Sequence, residues 1–131
     1  MKGTVPIDDL SALGDPYRAA LSSMYAGEPQ RGANGCLRDI DDTTRIAVAE
    51  GMTLFSLCVA DRVTSTLEVG LAYGFSTVYL LAALERMGGG THTAIDPFQI
   101  AWRKEVAPRR LVGLGDRSAE DDRRRVSLAF R

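Results

Sequence analysis

The chain is poor in the residues that cross-link a fold or arm a reactive centre. Its 131 residues include two cysteines (Cys36 and Cys58), one histidine (His92) and one tryptophan (Trp102). Two cysteines build no disulfide framework, so a reduced, cytoplasmic setting is expected. Long apolar runs are missing as well. Residues 80–84 form one of the longest, against the roughly 20 residues needed to cross a bilayer, so no membrane partner is expected. Near the start, Asp8 and Asp9 stand where a signal peptide would carry its apolar stretch. What is present, 45% hydrophobic, 25% charged and 7% aromatic residues, is ordinary globular composition. It argues against disorder, collagen-like repeats and coiled coil, and the length suits one domain.

The formal net charge of −1 hides an asymmetry. Residues 1–100 carry 7 basic and 12 acidic side chains; residues 101–131 carry 9 and 5. In the tail, Glu105, Asp116, Glu120, Asp121 and Asp122 interleave with the arginines, and Phe130 is the only ring near Arg123, Arg124 and Arg125. That mixture predicts a solvated face or frayed terminus, not a nucleic-acid arm. Asp121 and Asp122 are adjacent, their side chains diverge in a strand or a helix, and no second cluster joins them, so no metal site is expected.

Periodicity supplies the elements. Asp15 as N-cap and Pro16 at the first helical position open a helix whose face is Tyr17, Leu21 and Met24. Residues 27–35, with Pro29, Asn34 and three glycines, predict a loop. A second helix is expected over 43–61, with Ile46, Val48, Met52, Phe55, Cys58 and Val59 on its apolar face. Gly51 is a weak point in it, costing up to about 1 kcal/mol against alanine. Residues 66–69 then read as a strand, 71–74 as a tight loop, and Ser76 or Thr77 as the start of a helix with buried Val78, Leu81, Ala82 and Leu84. Gly88, Gly89 and Gly90 stop that helix, and 91–96 is the next strand, closed by Pro97. Strand, helix and strand in so short a stretch make a βαβ unit with parallel strands. Beyond Gln99, residues 100–114 have helical character broken by Pro108, 113–117 predict a turn, and 126–130 alternate as a strand does.

A loop between a parallel strand and its following helix sits at the carboxyl edge of the sheet, where open α/β folds bind ligands. Gly70 and Gly74 let the backbone turn and approach a ligand closely, and the amides of Phe75, Ser76 and Thr77 open the helix unpaired. Asp96 follows Gly74 by 22 residues, the place for an acid that accepts from ribose hydroxyls. Gly70 and Gly74 stand four apart with Ala72 between, which is not the G-x-G-x-x-G of dinucleotide folds. The spacing is E-x-G-x-[GA]-x-G, with Glu68 two residues before the first glycine. His92, at the amino side of its strand, reads as a packing residue away from the ligand edge, and Cys58 as core.

These segments carry a resemblance. Leu67-Glu68-Val69-Gly70-Leu71-Ala72-Tyr73-Gly74-Phe75-Ser76-Thr77 and His92-Thr93-Ala94-Ile95-Asp96-Pro97-Phe98-Gln99 are similar to motifs I and II of class I S-adenosylmethionine-dependent methyltransferases. They are most similar to those of the bacterial O-methyltransferase-like group, and Glu50-Gly51-Met52 resembles that group's entry helix. The resemblance spans about residues 45–100 and implies a partial Rossmann-like α/β fold, parallel strands with flanking helices preceded by N-terminal helices. Three segments are expected in one domain: helical 1–62, a βαβ cofactor core at 63–99, and a basic tail at 100–131. The resemblance further implies S-adenosylmethionine as cofactor and methyl transfer to a small-molecule acceptor through oxygen. Gly70, Ala72 and Gly74 would lie under the methionine moiety, with Glu68 organising the loop and the amino group. Tyr73, Phe75 and Ser76 would line the cofactor, Asp96 would take the ribose diol, and Pro97 and Phe98 would border the adenine. No catalytic residue is assigned.

Only 35 residues follow Asp96, room for one further strand where the family has several, so the chain reads as the cofactor half of that fold. Without a neighbour on its far side, strand 66–69 would become an open edge, inviting a homodimer. Two alternatives stand beside the methyltransferase: a non-catalytic fragment that self-associates through that edge, and an NAD-type half-domain.

Overall fold

The computed structural model describes residues 7–31, 37–40, 42–95, 116–117 and 125–130. Cys36, Asp96, Pro97, Phe98, Trp102, Asp121, Asp122 and the helical character expected over 100–114 lie outside the described residues. Among the described residues no helix is long and apolar enough to cross a membrane.

Proline at the second position starts α1 (Asp15–Tyr25), where a missing N–H donor is harmless. The Gly14 carbonyl accepts the N–H groups of Tyr17 and Arg18 at 3.1 and 3.0 Å. Gly14, not Asp15, is therefore the N-cap, and the Asp15 carboxylate pairs instead with Arg18 one turn on. Tyr17, Ala20, Leu21 and Met24 form the buried face. A 3-10 helix at Ile7–Ala12 brings Leu10 into the same core, a contribution that short apolar spacing did not announce.

The region expected as loop contains a strand: β1 (Gln30–Arg31) pairs antiparallel with β2 (Leu37–Arg38). The second helix begins later than its apolar spacing suggests. Asp42–Thr44 forms a 3-10 turn, and α2 covers Val48–Ala60. Its start is fixed by Glu50, whose carboxylate accepts the Ala47 N–H at 2.8 Å, half of a capping box. Phe55 is buried, and Val48, Met52, Cys58 and Val59 pack against the core, the face anticipated from the sequence.

Helix α3 (Phe75–Arg86) is the hub. Phe75 and every residue from Thr77 to Leu84 are buried, because α1 and α2 pack on one side of α3 and the sheet on the other. Two glycines set these close approaches. A Cβ on Gly51 would lie 2.1 Å from Cε2 of Tyr79, so the residue that weakens α2 locally is the one that lets α3 approach. A Cβ on Gly90 would lie 2.6 Å from the Thr64 carbonyl oxygen and 2.7 Å from Cδ2 of Leu84.

The larger sheet contains β3 (Ser65–Val69), β4 (Gly90–Ile95), β5 (Asp116–Arg117) and β6 (Arg125–Phe130), in the order β3-β4-β6-β5. β3 and β4 are parallel, with Thr66 opposite His92 and Val69 opposite Ile95. β6 runs antiparallel to β4 and to β5, so the sheet is mixed, where parallel strands throughout were expected. Asp116 and Arg117, expected in a turn, are strand residues. Among the described residues the chain is thus α/β, with three α-helices and one parallel strand pair. Thr66, Glu68, His92 and Ala94 face α3, while Leu67, Val69 and Ile95 lie exposed on the other face.

Candidate ligand-binding loop at the carboxyl edge of the parallel pair

Three left-handed residues shape the loop between β3 and α3: Gly70 at φ 90°, Ala72 at φ 44° and Gly74 at φ 87°. Glycine takes that region freely, whereas an L side chain there costs roughly 1–2 kcal/mol. The turn is closed by Gly74 N–H on the Leu71 carbonyl, at 2.8 Å. The Gly70 N–H reaches the Ile95 carbonyl, also at 2.8 Å, so the end of β4 lies directly beside the loop. A Cβ on Gly70 would meet no heavy atom within 4 Å, which leaves space at this bend.

The predicted site residues divide sharply. Gly70, Ala72 and Gly74 form the bend itself. Tyr73 is half-buried against the core. The Phe75 ring is buried and packs on Tyr25 with centroids 4.9 Å apart, so only its backbone amide remains available to a ligand. Asp96, Pro97 and Phe98 lie outside the described residues.

Glu68 is bound by its own chain. Its carboxylate accepts hydrogen bonds from the Ser76 hydroxyl at 2.8 Å, from the Thr77 hydroxyl, and from Nε2 of His92 at 3.1 Å. Nδ1 of His92 is in turn 2.8 Å from the Thr66 hydroxyl. With Thr66 donating to Nδ1 and Nε2–H donating to Glu68, a neutral imidazole satisfies both of its nitrogens. The His92 side chain is 0% and the Glu68 side chain 11% exposed, so these bonds form largely out of water. Hydrogen bonds to a charged group contribute about 1.5–3 kcal/mol. Glu68 thereby fastens the first turn of α3 to two strands. His92 is a core residue, as its place in the strand suggested, but its tie to the loop was missed. The signal lay in the strand period: Thr66 and Glu68 share a face, and parallel register with 91–96 brings His92 between them.

No side chain caps α3, because its N-cap is Gly74; Ser76 and Thr77, the cap candidates from sequence, lie inside the helix with their hydroxyls turned to Glu68. The first N–H groups of the helix remain for an anionic group. Behind the loop, the Tyr25 hydroxyl donates to the Ile46 carbonyl at 2.9 Å and lies 3.1 Å from the Tyr79 hydroxyl. Burial pushes both phenols above their ordinary value, and Tyr79 is raised further by its hydrogen bond to Tyr25. Among the described residues, no three His, Cys, Asp or Glu side chains are grouped to hold a metal ion. No protein-family model, curated protein or solved structure matches the chain.

Proposed function

We propose that the chain binds S-adenosylmethionine at the β3–α3 loop and forms the cofactor side of a methyltransferase acting on a small-molecule oxygen acceptor. The observation that carries this proposal is the Glu68-buttressed bend with left-handed Gly70, Ala72 and Gly74, beside the end of a parallel neighbour strand. A cofactor can approach such a backbone closely, and the open space at Gly70 is compatible with it. The uncapped amides of Phe75, Ser76 and Thr77 suit a carboxylate, and Asp96, next in sequence after β4, is the acid for the ribose diol. When bound, the cofactor supplies an already activated methyl group, so the protein's work is alignment. Glu68 acts here as a positioning residue: it holds the turn that would touch the ligand.

Isothermal titration calorimetry of the 131-residue chain with S-adenosylmethionine tests this. Binding is expected, with NAD failing to compete. Asp96→Ala should weaken it by about 1–3 kcal/mol, the cost of unpairing buried polar partners. An affinity untouched by Asp96→Ala, or displacement by NAD, would refute the assignment.

A further inference from the structure

We propose that β3 is a docking edge for a second copy of this chain, the two β3 strands pairing antiparallel about a two-fold axis through Leu67. β3 is terminal in the sheet order. The bonds across the parallel pair fix which backbone groups face outward. The Thr64 carbonyl accepts the Thr91 N–H at 3.0 Å, and the Gly70 N–H donates to Ile95. Backbone groups alternate sides along a strand, so residues 64, 66, 68 and 70 point theirs at β4. Ser65, Leu67 and Val69 therefore turn three N–H and three C=O groups to the open side.

Proteins guard such edges with lysine, proline, bulges or inward charges. β3 has no lysine, proline or bulge. Its one charge, Glu68, faces α3 and is occupied by three donors. Leu67 is 65% and Val69 79% exposed, so among the described residues nothing shields the strand on that face.

The sequence of β3 selects the occupant. Centred on Leu67, a two-fold pair sets Leu67 against Leu67 and Ser65 against Val69, and each copy's six outward groups find partners. Registers centred on Thr66 or Glu68 pair only two of the three outward residues. The Leu67 register also sets Glu68 opposite the copy's Thr66, with no like charges directly opposed. On the exposed face, Leu67 and Val69 of both copies meet as one apolar strip. The contact is isologous and closes on itself, as a two-fold dimer requires.

The inference stands apart from the cofactor, which is left out of every measurement. Sedimentation velocity of the full chain should show a monomer–dimer equilibrium that follows concentration. Leu67→Lys, which opposes two charges on the axis, and Val69→Pro, which deletes an outward donor, should each weaken association about tenfold or more. Both should keep the far-ultraviolet circular dichroism of the parent. In a Cys36→Ser, Cys58→Ser background, Leu67→Cys should form a disulfide-linked dimer, since directly opposed residues lie about 5.5 Å apart, within disulfide reach. Leu57→Cys, similarly exposed on α2, should not. A monomer at every concentration, a dimer indifferent to both substitutions, or cross-linking at residue 57 as fast as at 67 overturns the proposal.

Discussion

Gly51→Ala sets two effects of opposite sign against each other. In an isolated helix the change is favourable by up to about 1 kcal/mol. In this fold the new methyl would stand 2.1, 2.3 and 2.5 Å from three atoms of the Tyr79 ring, where carbon atoms rest at about 3.5 Å or more. The ring cannot step aside freely, because it is fully buried and its hydroxyl is held by Tyr25. Overpacking of this kind costs about 1–3 kcal/mol and sometimes more. Losing the tyrosine pair adds about 0.5–1.5 kcal/mol. After subtracting the propensity gain, the variant should be less stable by about 0.5–3.5 kcal/mol. Urea unfolding followed by circular dichroism measures this directly. Gly51→Ala combined with Tyr79→Leu should lose less than the sum of the two single changes, since removing the ring removes the clash. A Gly51→Ala protein as stable as its parent would mean that α2 and α3 do not meet at this point.

Three further outcomes follow from the same geometry. Ala72→Gly should raise stability by about 0.5 kcal/mol, since relief of the left-handed strain outweighs the extra freedom of the unfolded glycine; a clear loss in urea midpoint would count against the loop's shape. Glu68→Gln should cost about 1–3 kcal/mol and speed amide hydrogen exchange at Val78, whose N–H bonds the Gly74 carbonyl at the start of α3, but not within α1; unaltered exchange at that amide would remove Glu68 as the anchor of the first turn. Alkaline stability is set by the buried phenols. Tyr17 is raised by burial, then by the charge of Glu85 and the hydrogen bond it donates there, and Tyr79 and Tyr25 are raised by burial first. Their protonated forms are favoured on folding, so stability is intact below the ordinary phenol value of about 10 and falls as pH climbs above it. Burial, followed by the charge of Asp61, moves the Cys58 thiol in the same direction. Absorbance titration should show most phenols ionising only with unfolding; free titration at the ordinary value in a folded chain would contradict the packing.

Local signals in the sequence carried the elements well, and long-range placements poorly. The faces of α1 and α2, the β3–α3–β4 unit and its glycine bend follow from periodicity and turn chemistry over a few residues. Helix starts were harder, because the competition is decided by one contact. Ser76 and Thr77 are good caps in isolation, yet the helix starts ahead of them with Gly74 as N-cap, and both hydroxyls go to Glu68. The function of Gly51 depends on a ring 28 positions later, and the partner of His92 sits 24 positions earlier, so neither is written in a local pattern. The alternation of residues 126–130 predicts a strand but contains nothing about direction, and β6 runs antiparallel to β4.

The carboxylate at the foot of the bend has a kinetic consequence. Anchored by three donors of its own chain, it leaves the bend little freedom to surrender when a guest arrives. A molecule of the right outline should enter in one step, at a rate governed by encounter. One of the wrong outline should be turned away, because stiff walls do not reshape themselves to admit it.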